Sequence, residues 1–157
     1  VDENVVSNVV RQFQDTGAHI LCAGIKYFDR DPGTKIVRTW MPKEFSKGRI
    51  ASGWHPPHPG FFCRTSIFRE LGGFNTVYRI VADFDFMIRA CSAYHNNVHI
   101  SDLVATYMRV GGASDGGLAS TIRNNLDVCE SLKANGFNVS KIVYIIKRLL
   151  SKALQKI

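Results

Sequence analysis

The sequence has few cysteines and none of the spacings that make them chemically active. Its four cysteines stand at positions 22, 63, 91 and 129 of 157 residues, without a CxxC pair or a histidine at zinc-finger spacing. This argues against a zinc finger and a disulfide-stapled scaffold. Cys22 falls in a strand-like run, and Cys91 and Cys129 fall in helix-like runs. We therefore expect small buried apolar residues in a reduced, cytoplasmic protein.

Long apolar runs, internal repeats and glycine-rich phosphate loops are also missing. No stretch is apolar for long enough to span a bilayer. No glycine-rich segment opens a helix after a strand, as a phosphate-binding loop would. With 45% hydrophobic and 21% charged residues, the composition is that of one compact globular domain or a large piece of a bigger one.

Acidic residues are absent from residues 140–157, which contain five lysines and arginines. The rest of the chain carries 15 basic and 13 acidic residues, so it is nearly neutral. A nucleic-acid-binding domain spreads its basic residues over a folded face. We therefore expect no nucleic-acid partner.

The pattern of apolar residues and turn signals predicts an α/β protein. Three prolines in residues 56–59 exclude an α-helix there, and Gly17, Gly72 and Gly136 mark helix ends. The predicted elements are helices over 2–14, 65–71, 82–94 and 121–135 and from residue 140 onward, and strands over 19–28, 35–40, 98–101 and 104–109. Residues 41–54 are predicted to be an irregular connection, and 111–117 a glycine-rich loop.

Two carboxylates, Asp83 and Asp85, stand at the start of the predicted helix 82–94. A carboxylate near a helix N-terminus is stabilised in its ionised form. A general base that deprotonates a hydroxyl needs such a carboxylate, fixed by a rigid element and facing a cleft. Acids are also enriched in first turns for capping alone, with Arg89 pairing on the surface. The pattern alone leaves both interpretations open.

The sequence around these carboxylates resembles the acceptor region of family 2 glycosyltransferases of the GT-A type, as in bacterial polysaccharide synthesis. Three parts occur in the family's order between residues 58 and 89. They are a histidine before an aromatic-rich strand (His58-Pro59-Gly60-Phe61-Phe62), a Leu71-Gly72-Gly73-Phe74 turn, and the acidic motif Val81-Ala82-Asp83-Phe84-Asp85-Phe86 followed by Arg89. The Gly111-Gly112-Ala113-Ser114 loop also looks like that family's late segment.

The resemblance implies the C-terminal part of a GT-A fold, a mixed sheet with flanking helices, over residues 1–137. Asp83 then matches the aspartate that deprotonates the acceptor hydroxyl, which attacks a nucleotide sugar with inversion. Ala82 replaces the glutamate that many members carry before this aspartate. The partners implied are a nucleotide-sugar donor and a glycan or lipid-linked acceptor in cell-surface polysaccharide synthesis.

Seven further residues are predicted to bind substrate, each with a structural alternative. His58 orients the acceptor or a diphosphate oxygen, or is a loop histidine satisfied by the backbone. Arg79 faces the diphosphate or forms a surface salt bridge, and Asp85 supports Asp83. Gly72 and Gly73 shape the acceptor wall through their backbone. The aromatic residues Phe74 and Trp54 stack on a sugar ring or pack in the core.

In the family, an Asp-x-Asp or Asp-Asp signature after a buried strand holds a divalent metal and the sugar diphosphate. Asp29-Arg30-Asp31 precedes Pro-Gly in a predicted turn, where aspartate is favoured for turn chemistry alone, and Asp83-Phe84-Asp85 is the base motif. The family's signature directly precedes a helix resembling residues 2–6. We therefore expect the nucleotide-binding half upstream, Mg²⁺ or Mn²⁺ in the full-length enzyme with no ligand in this chain, and no activity of this chain alone.

Residues 138–157 are predicted to be a separate basic amphipathic helix. At about 100° per residue, apolar and basic side chains gather on opposite sides. The apolar set is Ile142, Ile146, Leu149, Leu150, Ala153 and Ile157, and the basic set is Lys141, Arg148, Lys152 and Lys156. One interpretation is a helix on an anionic membrane surface, peripheral on the inner face of the cell membrane. The other is a helix packed on the domain with a solvated basic face.

Overall fold

The computed structural model describes residues 3–29, 35–52, 54–110 and 117–154. Its elements in chain order are α1 (Val5–Thr16), β1 (Ile20–Phe28), β2 (Ile36–Trp40), α2 (Lys47–Ala51), a 3₁₀ turn (His58–Gly60), β3 (Phe61–Cys63), α3 (Thr65–Glu70), α4 (Ala82–Ala93), a second 3₁₀ turn (His95–Asn97), β4 (Val98–Arg109), α5 (Gly117–Ala134) and α6 (Lys141–Leu154).

The sheet is mixed and has β1 at its centre. One edge of β1 pairs in parallel with β4, from Ile20 opposite Val98 to Phe28 opposite Arg109. Its other edge is shared by two antiparallel strands, β3 beside the first residues of β1 and β2 beside the last. The predicted α/β class, mixed sheet and flanking helices are therefore confirmed.

Helices cover both faces of the sheet because successive residues of a strand point to opposite sides. On one face, Ile20 and Cys22 of β1 pack with Phe86 and Ala90 of α4. On the other face, Leu21 and Ala23 pack with Val5 and Val9 of α1. The strand is buried on both sides, which explains its nearly continuous apolar sequence. A third cluster joins α4 to α5 and α6.

Several predicted boundaries differ from those observed. The two short strands predicted over 98–101 and 104–109 form one strand, β4, whose pairing shifts where Ser101 Oγ accepts a hydrogen bond from the Leu103 amide at 3.0 Å. The connection predicted to be irregular contains α2, which Ser46 caps. Helix α3 begins as predicted at Thr65, and the residue before it, Arg64, makes no side-chain capping hydrogen bond. Residues 1–2, 30–34, 53 and 111–116, which include the predicted start of the first helix, part of the predicted turn and most of the predicted glycine-rich loop, lie outside the described residues.

Of the four valines of α1, Val5 and Val9 are buried, whereas Val6 and Val10 are exposed. The helix contacts the sheet through a narrower stripe than its apolar composition suggests. Gly17 ends it as predicted, with φ of 65° and its amide bonded to the Phe13 carbonyl. None of the helices within the described part of the chain is long and apolar enough to cross a membrane.

The prediction that three cysteines act as small buried residues is confirmed. Cys22, Cys91 and Cys129 are buried, and all four cysteines are free thiols. A hydrogen bond with Cys22, together with burial, raises the pKa of Cys91 well above its usual value. The thiolate form is therefore disfavoured at this position, and Cys91 serves packing between β1 and α4.

Gly60 lies where the segment that contains the prolines crosses β1. A Cβ atom at this position would stand 2.1 Å from the carbonyl oxygen of Ala23, a backbone atom that cannot move aside. We expect Gly60→Ala to lower the free energy of unfolding by about 1–3 kcal/mol through overpacking. Gly48 in α2 is the matched control, because a Cβ there meets nothing within 4 Å.

Urea denaturation followed by circular dichroism measures both variants. Gly48→Ala should be neutral or stabilising by up to about 1 kcal/mol, since alanine is the better helix former. Equal stability of the two alanine variants would show that the segment tolerates displacement from β1.

Candidate functional site

The first turn of α4 holds Asp83 and Asp85 on different sides of the helix. Residues two apart are separated by about 200° around an α-helix. The side chain of Asp83 is 34% exposed, whereas that of Asp85 is 3% exposed. The two carboxylates therefore differ in environment, and of the two only Asp83 is accessible to a substrate.

The structure brings Asp83 together with His58, which is 25 positions earlier in the chain. His58 Nδ1 lies 3.6 Å from Asp83 Oδ2, and half of the histidine side chain is exposed. The other carboxylate oxygen, Oδ1, accepts a hydrogen bond of 2.7 Å from the Phe84 amide. The separation exceeds a direct hydrogen bond. A hydroxyl group bound beside the pair would contact both side chains.

The segment that carries His58 is fixed by packing and by its prolines. Pro56 and Pro57 are buried, and the Pro59 carbonyl accepts a hydrogen bond from Thr106 Oγ1 at 3.0 Å. The ring of His55 contacts the edges of Trp40 and Phe84, with centroids 5.2 and 5.4 Å away. The imidazole and the carboxylate are thus both mounted on rigid backbone, which a catalytic pair requires.

Asp85 is the centre of a buried polar network. Its Oδ2 accepts a hydrogen bond of 2.8 Å from Arg89 Nε, one helical turn later. Its Oδ1 accepts hydrogen bonds from Ser131 Oγ of α5 at 2.8 Å and from Asn135 Nδ2, directly after α5, at 3.2 Å. A substrate group would have to displace these partners to reach the carboxylate. The contacts favour a positioning role over the predicted substrate-binding role.

Arg89 continues this network to the Leu71-Gly72-Gly73-Phe74 turn, which we call the Gly-Gly turn. Its Nη1 donates to the Leu71 carbonyl at 2.6 Å and its Nη2 to the Gly73 carbonyl at 2.7 Å. All three nitrogens of the guanidinium therefore donate hydrogen bonds within the protein. The interpretation of Arg89 as the partner of an acidic residue on the surface is wrong, because Arg89 connects the Gly-Gly turn to α4.

The predicted left-handed backbone of the Gly-Gly turn is confirmed, with φ of 75° at Gly72 and 68° at Gly73. The turn, together with Arg89 and the following Asn75 and Thr76, lines an open pocket of about 400 Å³. The ring of Phe74 is half exposed there. It rests on Phe68 and Phe86 at 5.2 and 5.8 Å, in edge-to-face contacts. One side of the ring packs in the core, and the other is available to a ligand.

The remaining predicted residues are less clearly placed in a site. Trp54 packs against the cluster that joins α4 to α5. Arg79 is exposed on the loop before α4. Its neighbour Tyr78 contacts that same cluster, and partial burial, followed by the Asp85 carboxylate, raises the pKa of its phenol. The substrate-binding roles of Trp54 and Arg79 stay predictions.

Sequence reasoning missed Ser131 and Asn135 and undervalued Arg89. One signal was present, because Asp85 and Arg89 stand at the i, i+4 spacing that pairs opposite charges on a helix. Ser131 and Asn135 are 46 and 50 positions from Asp85. No local pattern marks contacts at such separations.

Within residues 3–29, 35–52, 54–110 and 117–154, no group of three or more His, Cys, Asp or Glu side chains is placed to hold a metal ion. Asp83 and His58 would supply two ligands, and the Asp85 carboxylate is occupied by Arg89. These residues do not fit a divalent metal centre. The Mg²⁺ or Mn²⁺ of the full-length enzyme stays a prediction.

No protein-family model, no curated protein and no solved structure matches this chain. The functional assignment therefore rests on the sequence resemblance and on the geometry of the described residues.

Proposed function

We propose that this chain is the acceptor-side part of an inverting, nucleotide-sugar-dependent glycosyltransferase of family 2, with the GT-A fold. The observation that carries the proposal is the approach of His58 and Asp83, at 3.6 Å, on two rigid segments that both remain open to solvent. These are the histidine and the aspartate of the resemblance, and they are distant in sequence. Their meeting supports the shared site that the resemblance implies.

In the proposed reaction, Asp83 is the general base. Its carboxylate accepts the proton of an acceptor hydroxyl while that oxygen bonds to the anomeric carbon of the donor. The bond from this carbon to the nucleoside diphosphate breaks, and the configuration inverts. Asp83 lies in the first turn of α4, so its carboxylate is held on a rigid element at the place where the proton is accepted. His58 hydrogen-bonds the acceptor and orients its hydroxyl toward Asp83.

The Gly-Gly turn forms the acceptor wall in this proposal. Arg89 and Asp85 hold its backbone, and Phe74 presents the free side of its ring to the acceptor sugar. No step is assigned to a metal ion. The proposal assigns neither the donor site nor the cation that accompanies the diphosphate in the family to residues of this chain.

The test uses the protein expressed from its whole reading frame. It is incubated with a panel of nucleotide sugars and with candidate glycan and lipid-linked acceptors, and release of the nucleoside diphosphate is measured. Acceptor-dependent release that requires Asp83 supports the proposal. Absence of release with every donor would contradict it if the protein is folded and binds the acceptors.

A non-catalytic carbohydrate-binding module is a second candidate. It is favoured by the pocket at the Gly-Gly turn, whose lining includes Phe74 and Arg89 but neither Asp83 nor His58. A glycan bound there would need no donor. This candidate predicts glycan binding without nucleotide release, and binding that is unaffected by Asp83→Asn.

The exposed ring of Phe74 gives a prediction for either candidate. We expect Phe74→Ala to weaken acceptor binding by about 2- to 10-fold, because the lost stacking surface is that of one aromatic side chain. For a transferase, the acceptor KM rises while kcat changes little. Val77→Ala on the same loop is the control, since Val77 is exposed outside the pocket lining. An unchanged acceptor KM in Phe74→Ala would remove Phe74 from the site.

A further inference from the structure

The last helix, α6, contacts α5 through Tyr144, which is the buried residue among the side chains described for residues 141–147. Tyr144 is 2% exposed and belongs to the cluster that includes Val128 and Leu132 of α5. Its backbone amide closes the first turn on the Ser140 carbonyl at 2.9 Å. Lys141 adds an ion pair with Glu130 of α5, with 3.1 Å between Nζ and Oε1. The helix is thus docked on α5 through its Tyr144 side.

The opposite side of α6 is apolar and open. Ile142, Val143 and Ile146 are 72%, 50% and 51% exposed. They fall within an arc of about 100° around the helix axis, and Tyr144 lies about 150° from the middle of that arc. We call these three residues the apolar stripe. Within residues 141–147, the helix therefore packs on the domain through Tyr144 and leaves Ile142 and Ile146 of the predicted apolar set exposed.

The surroundings of the apolar stripe are basic. Lys147 is exposed beside it. In sequence, residues 140–157 carry five lysines and arginines and no acid, while the period returns to apolar residues at Leu149, Leu150 and Ala153. An exposed apolar stripe in a segment whose charged residues are all positive is complementary to a surface with an apolar interior and negatively charged groups at its boundary with water.

We propose that α6 binds the protein to the surface of an anionic lipid bilayer. The apolar stripe enters the boundary between headgroups and acyl chains, and the basic residues contact the lipid headgroups. A lipid surface is flat, so it can contact the exposed side of α6 while the other side stays packed on α5. A protein groove that accepts an amphipathic helix would have to fit around a helix that α5 already covers on one side. This proposal does not depend on the transferase activity.

Vesicle flotation with the full 157-residue chain tests the proposal. The chain should float with vesicles of phosphatidylcholine and phosphatidylglycerol, and much less with phosphatidylcholine alone or at high salt. The variant Ile142→Ser/Ile146→Ser should lower the partition coefficient by about tenfold or more. The matched control Val6→Ser/Val77→Ser removes two exposed valines elsewhere, and it should float like the wild type.

Circular dichroism of each variant establishes that the fold is retained. Flotation of the stripe variant equal to that of the wild type would overturn the proposal, as would equal recovery with neutral and anionic vesicles. A wild-type chain that is dimeric by light scattering and becomes monomeric in the stripe variant would also overturn it. The stripe would then be covered by a second copy of the chain.

Discussion

Replacing Arg89 by methionine should lower the free energy of unfolding by about 3–5 kcal/mol. The substitution keeps most of the apolar stem but removes the partner of a carboxylate that is 3% exposed. It also leaves the carbonyls of Leu71 and Gly73 without their donors. The measurement is urea denaturation at neutral pH, with the midpoint and the slope of the transition compared with the wild type.

Two controls separate the unpaired buried charge from other effects. Asp85→Asn/Arg89→Met removes the charge together with its partner, so it should be more stable than Arg89→Met alone. Arg79→Met removes an exposed arginine before the same helix and should change stability by less than about 0.5 kcal/mol. A double variant no more stable than Arg89→Met would show that the buried charge is not the cause.

Replacing Asp83 by asparagine should reduce the turnover number of the full-length protein by about 10²- to 10⁴-fold. The amide keeps the size of the side chain but cannot accept the proton of the acceptor hydroxyl. Because the proposed function assigns Asp83 to the acceptor hydroxyl and not to donor binding, the donor affinity should change little. Nucleoside diphosphate release under saturating substrates gives the turnover number, and calorimetry gives the donor affinity.

Asp102→Asn is the matched control, since Asp102 is an exposed carboxylate on β4 away from the start of α4. It should retain wild-type turnover. His58→Ala should raise the acceptor KM, in accordance with its orienting role, and lower turnover less than Asp83→Asn does. Turnover near the wild-type value in Asp83→Asn would reject Asp83 as the base.

Local patterns were sufficient for the longer elements of this fold, but not for α2 or for the continuity of β4. Helix α4 was predicted to within one residue of its observed end because its apolar residues recur at helical spacing and Asp83 stands near its start. The central strand was predicted because eight of its nine residues are apolar or small and they run between a glycine-ended helix and a predicted turn. Both signals act over a few residues, which is the range that periodicity covers.

The site required information that local patterns do not contain. The carboxylates of Asp83 and Asp85 look alike in sequence, and only the packing of α5 against α4 shows which of them is buried. The sequence left the orientation of α6 open for a related reason. The helical period identifies the apolar side of a helix, but the side that becomes buried depends on the neighbouring element. In α6, Tyr144 is buried because it packs against Val128 and Leu132 of α5.

The hydrogen bonds from Arg89 to the Gly-Gly turn determine which substitutions the lining of the neighbouring pocket tolerates. Both of its donor contacts there go to main-chain oxygens, of Leu71 and Gly73, and neither goes to a side chain. The backbone at Leu71 and Gly73 is therefore held by contacts that substitutions in the pocket lining leave in place. Phe74 and Asn75 also support the loop, because Phe74 packs on Phe68 and Phe86 and the Asn75 side chain accepts a hydrogen bond from the Val77 amide at 3.1 Å. Substitutions at Thr76 can change ligand preference while this backbone keeps its path.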